Sequence, residues 1–513
     1  MKMKVLFTIH CVFLLCASVF ANNISTANVK LTGQNTANHT SQIQFDISWE
    51  NSWRTSSGPG NWDAAWVFIK YRVNSYGPWR HAYLNENGHV VPSIGTASVG
   101  LLTPGTGFNA TTNPAMGAFL YRSANGSGTF SLTNVQLQWN YGANGVQDND
   151  LVDVQVYAIE QVYVPSGNFY LGSGAGSSSA FEYGSFYTYP TETNPFQIIG
   201  EGALTVGASA NNLYYSVGGG DQAGPIPAAY PKGYAAFYCM KYELSQQGYA
   251  EFLNSLTYTQ SHNRYDYNFS IGRNRFAIDT VIGNSSFYSR APYIACNFIN
   301  WADLSAYLDW AGLRPMSEFE YEKACRGTLT PVPNENAWGT PSVSNHYYTI
   351  SNRDATNEII SSELNTFSGV GNVSCFQTVA SSTSPTPGPL RVGIFAASAV
   401  GEPNVGRSTV GATYYGIMEM SGNVYERAVT VGNSQGRAFA GSHGNGNVDA
   451  AGNATNTDWP SITTAAGAGL RGGSFNTPNA LDSLSVSNRR FSAFNNNPAR
   501  SPFFGGRGVR TAQ

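Results

Sequence analysis

The residues most able to do chemistry in this chain are its cysteines, and their positions argue against most of that chemistry. Six cysteines occur, at 11, 16, 239, 296, 325 and 375. The first two fall in an apolar leader, so Cys239, Cys296, Cys325 and Cys375 are left in the mature chain. Four cysteines in an exported protein allow three full pairings. They also allow buried free thiols, which behave as small hydrophobes. No C-x-x-C pair occurs, so neither a zinc knuckle nor a thioredoxin-type site is supported. His39, His81, His89, His262, His346 and His443 show no helix-type ligand spacing. His443, in Gly441-Ser-His-Gly-Asn445, has the most suggestive setting, and it reads as a loop histidine satisfied by backbone groups. Gly432-Asn-Ser-Gln-Gly436 has the letters of a nucleophile elbow, but no helix pattern follows it, so it reads as a turn. Gly172-Ser-Gly-Ala-Gly176 lacks the Lys-Ser/Thr ending of a phosphate loop and also reads as a turn. Gly444-Asn-Gly-Asn-Val-Asp449 departs from the twelve-residue calcium loop and reads as a tight turn.

The elements that must carry these residues follow from composition and periodicity. The chain has 513 residues, 42% hydrophobic and 13% aromatic, with 55 Gly and only 12% charged. A typical soluble domain carries about 25% charged residues. Long disorder and coiled coil are excluded, because both need far more charge. Net charge is −3 and the isoelectric point about 6.2, with no basic cluster suited to nucleic acid. Two lysines within Met1–Lys4, followed by an apolar run from Val5 to Phe20, read as a signal peptide over residues 1–21. Leu15 is a poor neighbour for lipid attachment at Cys16. No later run spans a membrane, so the protein is expected to be exported, to the periplasm, the cell surface or the medium.

Residues 22–158 read as a β-sandwich module. Ile43, Phe45, Ile47 and Trp49 alternate with polar residues, and Trp66–Val73, Val135–Trp139 and Val152–Ala158 mark further strands. Three helices are legible beyond residue 159. Ser245 caps the first, with Tyr249, Phe252, Leu253 and Leu256 on one face. Asn300 caps the second, which runs from Trp301 to Ala311 and stops at Gly312. Ser317 and Glu320 form the capping box of the third, which ends near Gly327. After that the chain is rich in Gly and Asn, with no amphipathic helix.

The order of landmarks in residues 159–513 resembles the formylglycine-generating enzyme (sulfatase-modifying factor) domain, which has a C-type-lectin-like fold. The matching segments are Val164-Pro-Ser-Gly-Asn-Phe-Tyr-Leu-Gly172, Phe237-Tyr-Cys-Met-Lys-Tyr-Glu-Leu-Ser245, Asn300-Trp-Ala-Asp303 and Gly312-Leu-Arg-Pro-Met-Ser-Glu-Phe-Glu-Tyr-Glu-Lys-Ala324. They continue with Trp338-Gly339, Tyr415-Gly-Ile-Met-Glu-Met-Ser-Gly-Asn-Val-Tyr-Glu426, Arg471-Gly-Gly-Ser-Phe475 and Gly506-Arg-Gly-Val-Arg510. The implied fold class is α+β, an N-terminal β-sandwich followed by a loop-rich lectin-like domain. The low charge then suggests an interior of neutral Asn, Ser, Thr and Gly. Similar landmarks occur in gliding and secretion lipoproteins of Bacteroidetes-like bacteria, which is an analogy of scaffold only.

The resemblance also implies chemistry that can be checked residue by residue. The family's oxidase holds copper(I) with two thiolates just after the Gly-Gly-Ser strand, and those positions are Thr477 and Asp482 here. Neither supplies a thiolate, so no copper is expected. A branch of the family that uses non-haem iron needs a histidine triad this chain lacks. Calcium is the ion the resemblance leaves open. The family's Gly-Asn-Val-Trp-Glu turn maps to Glu419, Gly422, Val424 and Glu426, an oxygen-only set suited to a hard cation. Tyr425 and Arg427 stand where the family usually has tryptophans. Thr477, Asp482, Phe491, Phe494 and Phe503 fall where the family's ligand groove lies. The expectation is therefore an exported, non-enzymatic binding or structural protein, with a glycan, peptide or protein ligand. Sulfatase-type oxidation and self-assembly into a surface complex are the alternatives. Nucleic acid is excluded as a partner.

Overall fold

The structure is a computed structural model that describes residues 23–265, 271–281, 286–375, 388–402, 405–477, 482–493 and 497–513. The expected signal segment and Phe494 lie outside them. The N-terminal strands are β1 (Ser25–Asn35), β2 (Thr40–Arg54), β3 (Asp63–Val73), β4 (Arg80–His81), β5 (Gly95–Leu101), β6 (Ala115–Arg122), β7 (Gly126–Trp139) and β8 (Val152–Val164). β1, β2 and β7 form one sheet in the order β1-β2-β7. The period-2 signal in β2 holds, since Ile43, Phe45, Ile47 and Trp49 are buried between half-buried neighbours. In β7 a register shift beside Asn134 puts both Leu132 and Val135 on the buried face.

The second sheet binds the chain into one body. Its order is Val509–Thr511, Phe237–Met240, β8, β3, β6, β5, with β4 paired to β3. β8 pairs with β3 from Val152 to Val162 and with Phe237–Met240 at its last four residues, so one sheet serves both regions across residue 158. β3 is buried on both faces, from Asp63 to Tyr71. Ala65, Val67 and Ile69 pack against β2 and β7. Trp66 and Phe68 face the other way, into a core that contains Tyr238, Phe252, Leu304, Tyr307 and Trp310. A sheet covered on both faces reads as a continuous apolar run, which is why Trp66–Ile69 does not alternate. The result is three layers: sheet, sheet and helices.

The helices are α1 (Gln246–Asn254), α2 (Tyr258–Arg264), α3 (Trp301–Trp310) and α4 (Glu318–Arg326). α1, α3 and α4 start at the expected caps: Ser245 accepts from the Gly248 amide, and Asn300–Asp303 and Ser317–Glu320 are capping boxes. α2 escaped the sequence reading because it is short and polar, although Thr257–Gln260 is a capping box. Ser434–Arg437 forms a single helical turn inside the Gly432–Gly436 segment, too short for the helix an elbow needs. A third sheet joins Met316–Ser317, Tyr425–Val429, Ala468–Arg471 and Phe504–Gly505. No described helix is long and apolar enough to cross a membrane.

The interior corrects one expectation. It is strongly ionic, and eight arginines (314, 326, 391, 427, 471, 489, 507 and 510) are fully buried. Glu318 of α4 receives Arg489 at 2.7 Å and Arg471 at 3.0 Å, and Glu320 receives Arg314 at 2.6 Å. Lys241 bridges Asp63 of β3 and Glu160 of β8, at 3.1 and 2.9 Å. The few charges in the sequence are spent tying irregular backbone together, because long loops inside a fold need partners for their carbonyls and amides. Arg507 alone donates to the carbonyls of Met240, Lys241 and Met418.

Candidate functional site

Two places contain the residues singled out by sequence, and strand Tyr425–Val429 runs between them. The first surrounds Tyr425. Its ring meets Phe491 edge-on at 5.8 Å and Phe504 at 6.4 Å. Thr477 and Ser483 stand beside its hydroxyl, and burial pushes the phenol up in pKa. Thr477 is buried, and its hydroxyl accepts the Ser474 amide at 2.8 Å. Asp482 is also buried; it pairs with the exposed Arg490 at 2.7 Å and accepts the Ser483 amide at 2.8 Å. Phe503 packs instead on Phe475, at 5.5 Å. Thr477, Asp482 and Phe491 are thus gathered around Tyr425, and Phe503 is set apart. Tyr425 itself went unnoticed as a groove residue, although its replacement of a family tryptophan was the available signal.

The donor set around Thr477 does not fit soft-metal chemistry. A hydroxyl and a carboxylate occupy the two aligned positions, and thiolates are what copper(I) prefers. Cys239, Cys296, Cys325 and Cys375 are all buried, and the first three are free thiols. Burial pushes the Cys239 thiol up to about 12 and raises Cys296 and Cys325 as well. Cys375 packs with Trp338, Val373 and Leu484.

The second place is the turn before strand Tyr425–Val429. Glu426 receives a two-pronged ion pair from Arg507, at 2.7 Å through both Nε and Nη2. Glu419 accepts the Gly393 amide at 2.9 Å through Oε1, while Oε2 is buried without a protein partner. Burial pushes its carboxyl up to about 7. Gly422 donates to the Gly472 carbonyl, and the Val424 amide donates to Glu243. Glu243, fully buried, also receives Asn423 and is raised well above the usual range by burial. The turn therefore brings Glu419 and Glu426 into one acidic group with Glu243, and Arg507 supplies the positive charge at Glu426. Glu243 and Arg507 were not singled out from sequence. Both sit inside quoted landmarks, Phe237–Ser245 and Gly506–Arg510, and burial of their charges is invisible to composition.

His443 is buried; its Nε2 accepts the Thr511 amide at 3.1 Å, whereas its Nδ1 is buried without a hydrogen-bond partner, so backbone groups satisfy only one side of the ring. Burial pushes its pKa well down. Asp449 accepts the Ala451 and Asn453 amides, which closes the tight turn at 444–453. Among the described residues, no group of three or more His, Cys, Asp or Glu side chains has the arrangement of a metal site.

No curated protein matches the chain. Residues 153–512 match the family model described as the sulfatase-modifying factor enzyme 1-like domain. That match starts in β8 and ends in the C-terminal strand, two neighbours of Phe237–Met240 in the shared sheet. With most of its length accounted for in this way, the chain belongs to the sulfatase-modifying factor enzyme 1-like family.

Proposed function

We propose that this protein is an exported, non-enzymatic binding or structural member of its family, which uses the lectin-like half to hold a glycan, peptide or protein ligand. The observation that carries the proposal is the pair Thr477 and Asp482. They stand where an oxidase of the family would need thiolates, and both are bound into local structure by the Ser474 amide and by Arg490. The half-buried Phe491 beside Tyr425 offers an aromatic face suited to stacking. The test is a glycan and peptide array probed with the full mature chain, because β8 is shared with the N-terminal strands. Binding that Phe491→Ala weakens supports the reading. Conversion of a Cys-x-Pro-x-Arg peptide to an aldehyde in the presence of copper overturns it.

Calcium at the Glu419 turn is a second part of the proposal, supported by the open Oε2 of Glu419. The residues that would hold it are Glu419 and the carbonyls of Gly422 and Val424, with Glu426 shared with Arg507. Calcium should raise the melting temperature of the wild type and leave Glu419→Gln unchanged. An equal response in both removes this part.

A further inference from the structure

Asp63, Glu160 and Lys241 meet across the shared sheet. Asp63 pairs with Val162 and Ala65 with Glu160, so Asp63 and Glu160 are diagonal neighbours on one face of β3 and β8. Beyond the pair Met240–Gln161, the Lys241 amide donates to the Glu160 carbonyl at 2.9 Å, which sets Lys241 opposite Glu160. Lys241 Nζ stands 3.1 Å from Asp63 Oδ2 and 2.9 Å from Glu160 Oε2, and its third contact is the Asn51 carbonyl at 3.1 Å. The three side chains are at most 2% exposed. Trp53 and Tyr242 wall them in, with ring centres 4.8 and 5.4 Å from Nζ.

Two features set this cluster apart. In every other buried ion pair among the described residues the cation is arginine. Arginine suits a structural pair, because its fork meets a carboxylate with two hydrogen bonds and its guanidinium keeps its charge. Lysine differs: once it gives up a proton, its amine is a nucleophile. The charges are also unequal, since one ammonium serves two carboxylates and Glu160 Oε1 has no partner. Burial raises the Glu160 carboxyl, so Glu160 is the acid that retains a proton.

Asp63 is held as an acyl acceptor must be. Its Oδ1 accepts the Ser52 hydroxyl at 2.8 Å and the Trp53 amide at 3.0 Å. Those two donors point at the oxygen that gains charge when a nucleophile adds to Cγ. Its Oδ2 faces Lys241 and the Trp49 indole, at 3.1 and 3.0 Å. Nucleophile and acceptor are therefore already together in the folded chain, which replaces an encounter in solution.

We propose that Lys241 and Asp63 become joined by an amide bond in the folded chain, with Glu160 as the proton carrier. In the reacting form Nζ has passed one proton to Asp63, leaving a neutral amine beside a neutral carboxyl. Nζ adds to Cγ; Glu160 gives its proton to the departing hydroxyl and recovers one from Nζ. One C–N bond forms, one C–O bond breaks and one water leaves, with no change of oxidation state. A neutral amide then replaces a buried ion pair, whose desolvation is costly. The bond ties β3 to the segment Phe237–Ser245, and so the N-terminal strands to the family domain.

Intact-mass spectrometry of the denatured full mature chain tests this. The wild type should weigh one water less than its sequence, and Lys241→Arg should keep its full mass. Trypsin cuts after Arg54, Lys70, Lys232 and Arg264, so the wild type should yield peptides 55–70 and 233–264 joined, with Lys241 uncut. Glu160→Gln should lose the link and keep the circular dichroism spectrum. Lys241→Arg, which retains the cation, is the second variant should Glu160→Gln fail to fold. A wild type at full mass, or one whose two peptides separate, overturns the proposal and leaves a buried ion pair only. A linked Glu160→Gln overturns the role given to Glu160.

Discussion

Glu318 is the sharpest place to test the ionic interior. Its two oxygens receive five donors: Arg489 Nε at 2.7 Å and Nη2 at 2.8 Å, Arg471 Nη1 at 3.0 Å, the Thr430 hydroxyl at 2.9 Å and the Val431 amide at 2.7 Å. Through them α4 positions the strand Ala468–Arg471 and the segment that carries Phe491. Glu318→Gln can keep its oxygen toward Thr430 and Val431. Its amide nitrogen then faces Arg471 Nη1 and Arg489 Nε, donor against donor. Two charge-assisted hydrogen bonds are lost, worth about 1.5–3 kcal/mol each. Breaking one side of a buried pair costs about 3–5 kcal/mol, which agrees. Asp221→Asn is the control. Asp221 makes the same two-pronged contact with Arg437, at 2.7 and 2.9 Å, but its side chain is 41% exposed. An exposed pair contributes about 1 kcal/mol or less.

Urea unfolding of both variants at pH 7 measures the contrast. The pH dependence adds a second check. Burial pushes the Glu318 carboxyl up, but Arg489 and Arg471 outweigh it and hold the group below the usual range. A depressed carboxylate contributes stability that is full at neutral pH and is lost as pH falls through the folded pKa. The difference between wild type and Glu318→Gln should therefore shrink in acid. A loss below about 1 kcal/mol at pH 7, or an equal loss in Asp221→Asn, would refute the argument that buried ion pairs hold this fold.

Three further outcomes follow from the same structure. Glu182 has a buried, unpartnered Oε2, and burial pushes its carboxyl up to about 7 from 4.5; stability is then lost as pH rises from about 4.5 through 7, by about 3 kcal/mol at most. Glu182→Gln should be neutral at pH 5 and stabilising at pH 8 in urea titrations. Trp66→Ala removes a fully buried ring and its 2.8 Å bond to the Ala311 carbonyl, so it should cost about 3–5 kcal/mol and loosen β3 from the helical layer together. Cys239, Cys296 and Cys325 should ignore a thiol-specific disulfide reagent in the native protein and react in guanidinium; early release of any would contradict their burial.

Periodicity made the regular elements legible. β2 carries its own signal in its alternating burial, and α1, α3 and α4 in the capping residue at the start of each. β3 broke the pattern because two layers bury it, and no local signal reports a second layer. The site divided along similar lines. Thr477, Asp482 and Glu426 were singled out through the family resemblance, aligned on the Gly-rich landmarks. Arg507 and Glu243 were missed because their roles depend on residues more than 80 positions away, on Glu426 and Asn423. The low charge was misread for a related reason. Composition counts charges, but only the fold decides which side of the surface they occupy.

That placement has a measurable consequence. The chain carries 28 basic and 31 acidic residues. Exposed ion pairs are screened within about 8 Å at physiological ionic strength, whereas buried pairs are screened far less. Arg471, Arg489, Glu318 and Glu322 are all fully buried, and Arg507 and Glu426 nearly so. Sodium chloride between about 10 mM and 1 M should therefore shift stability by less than about 1 kcal/mol, because it reaches only weak pairs such as Arg437–Asp221. Urea unfolding at the two salt concentrations measures it. A loss of several kcal/mol at high salt would mean that water and ions reach the interior pairs, and the account of the loops as held by a dry ionic core would fail with it.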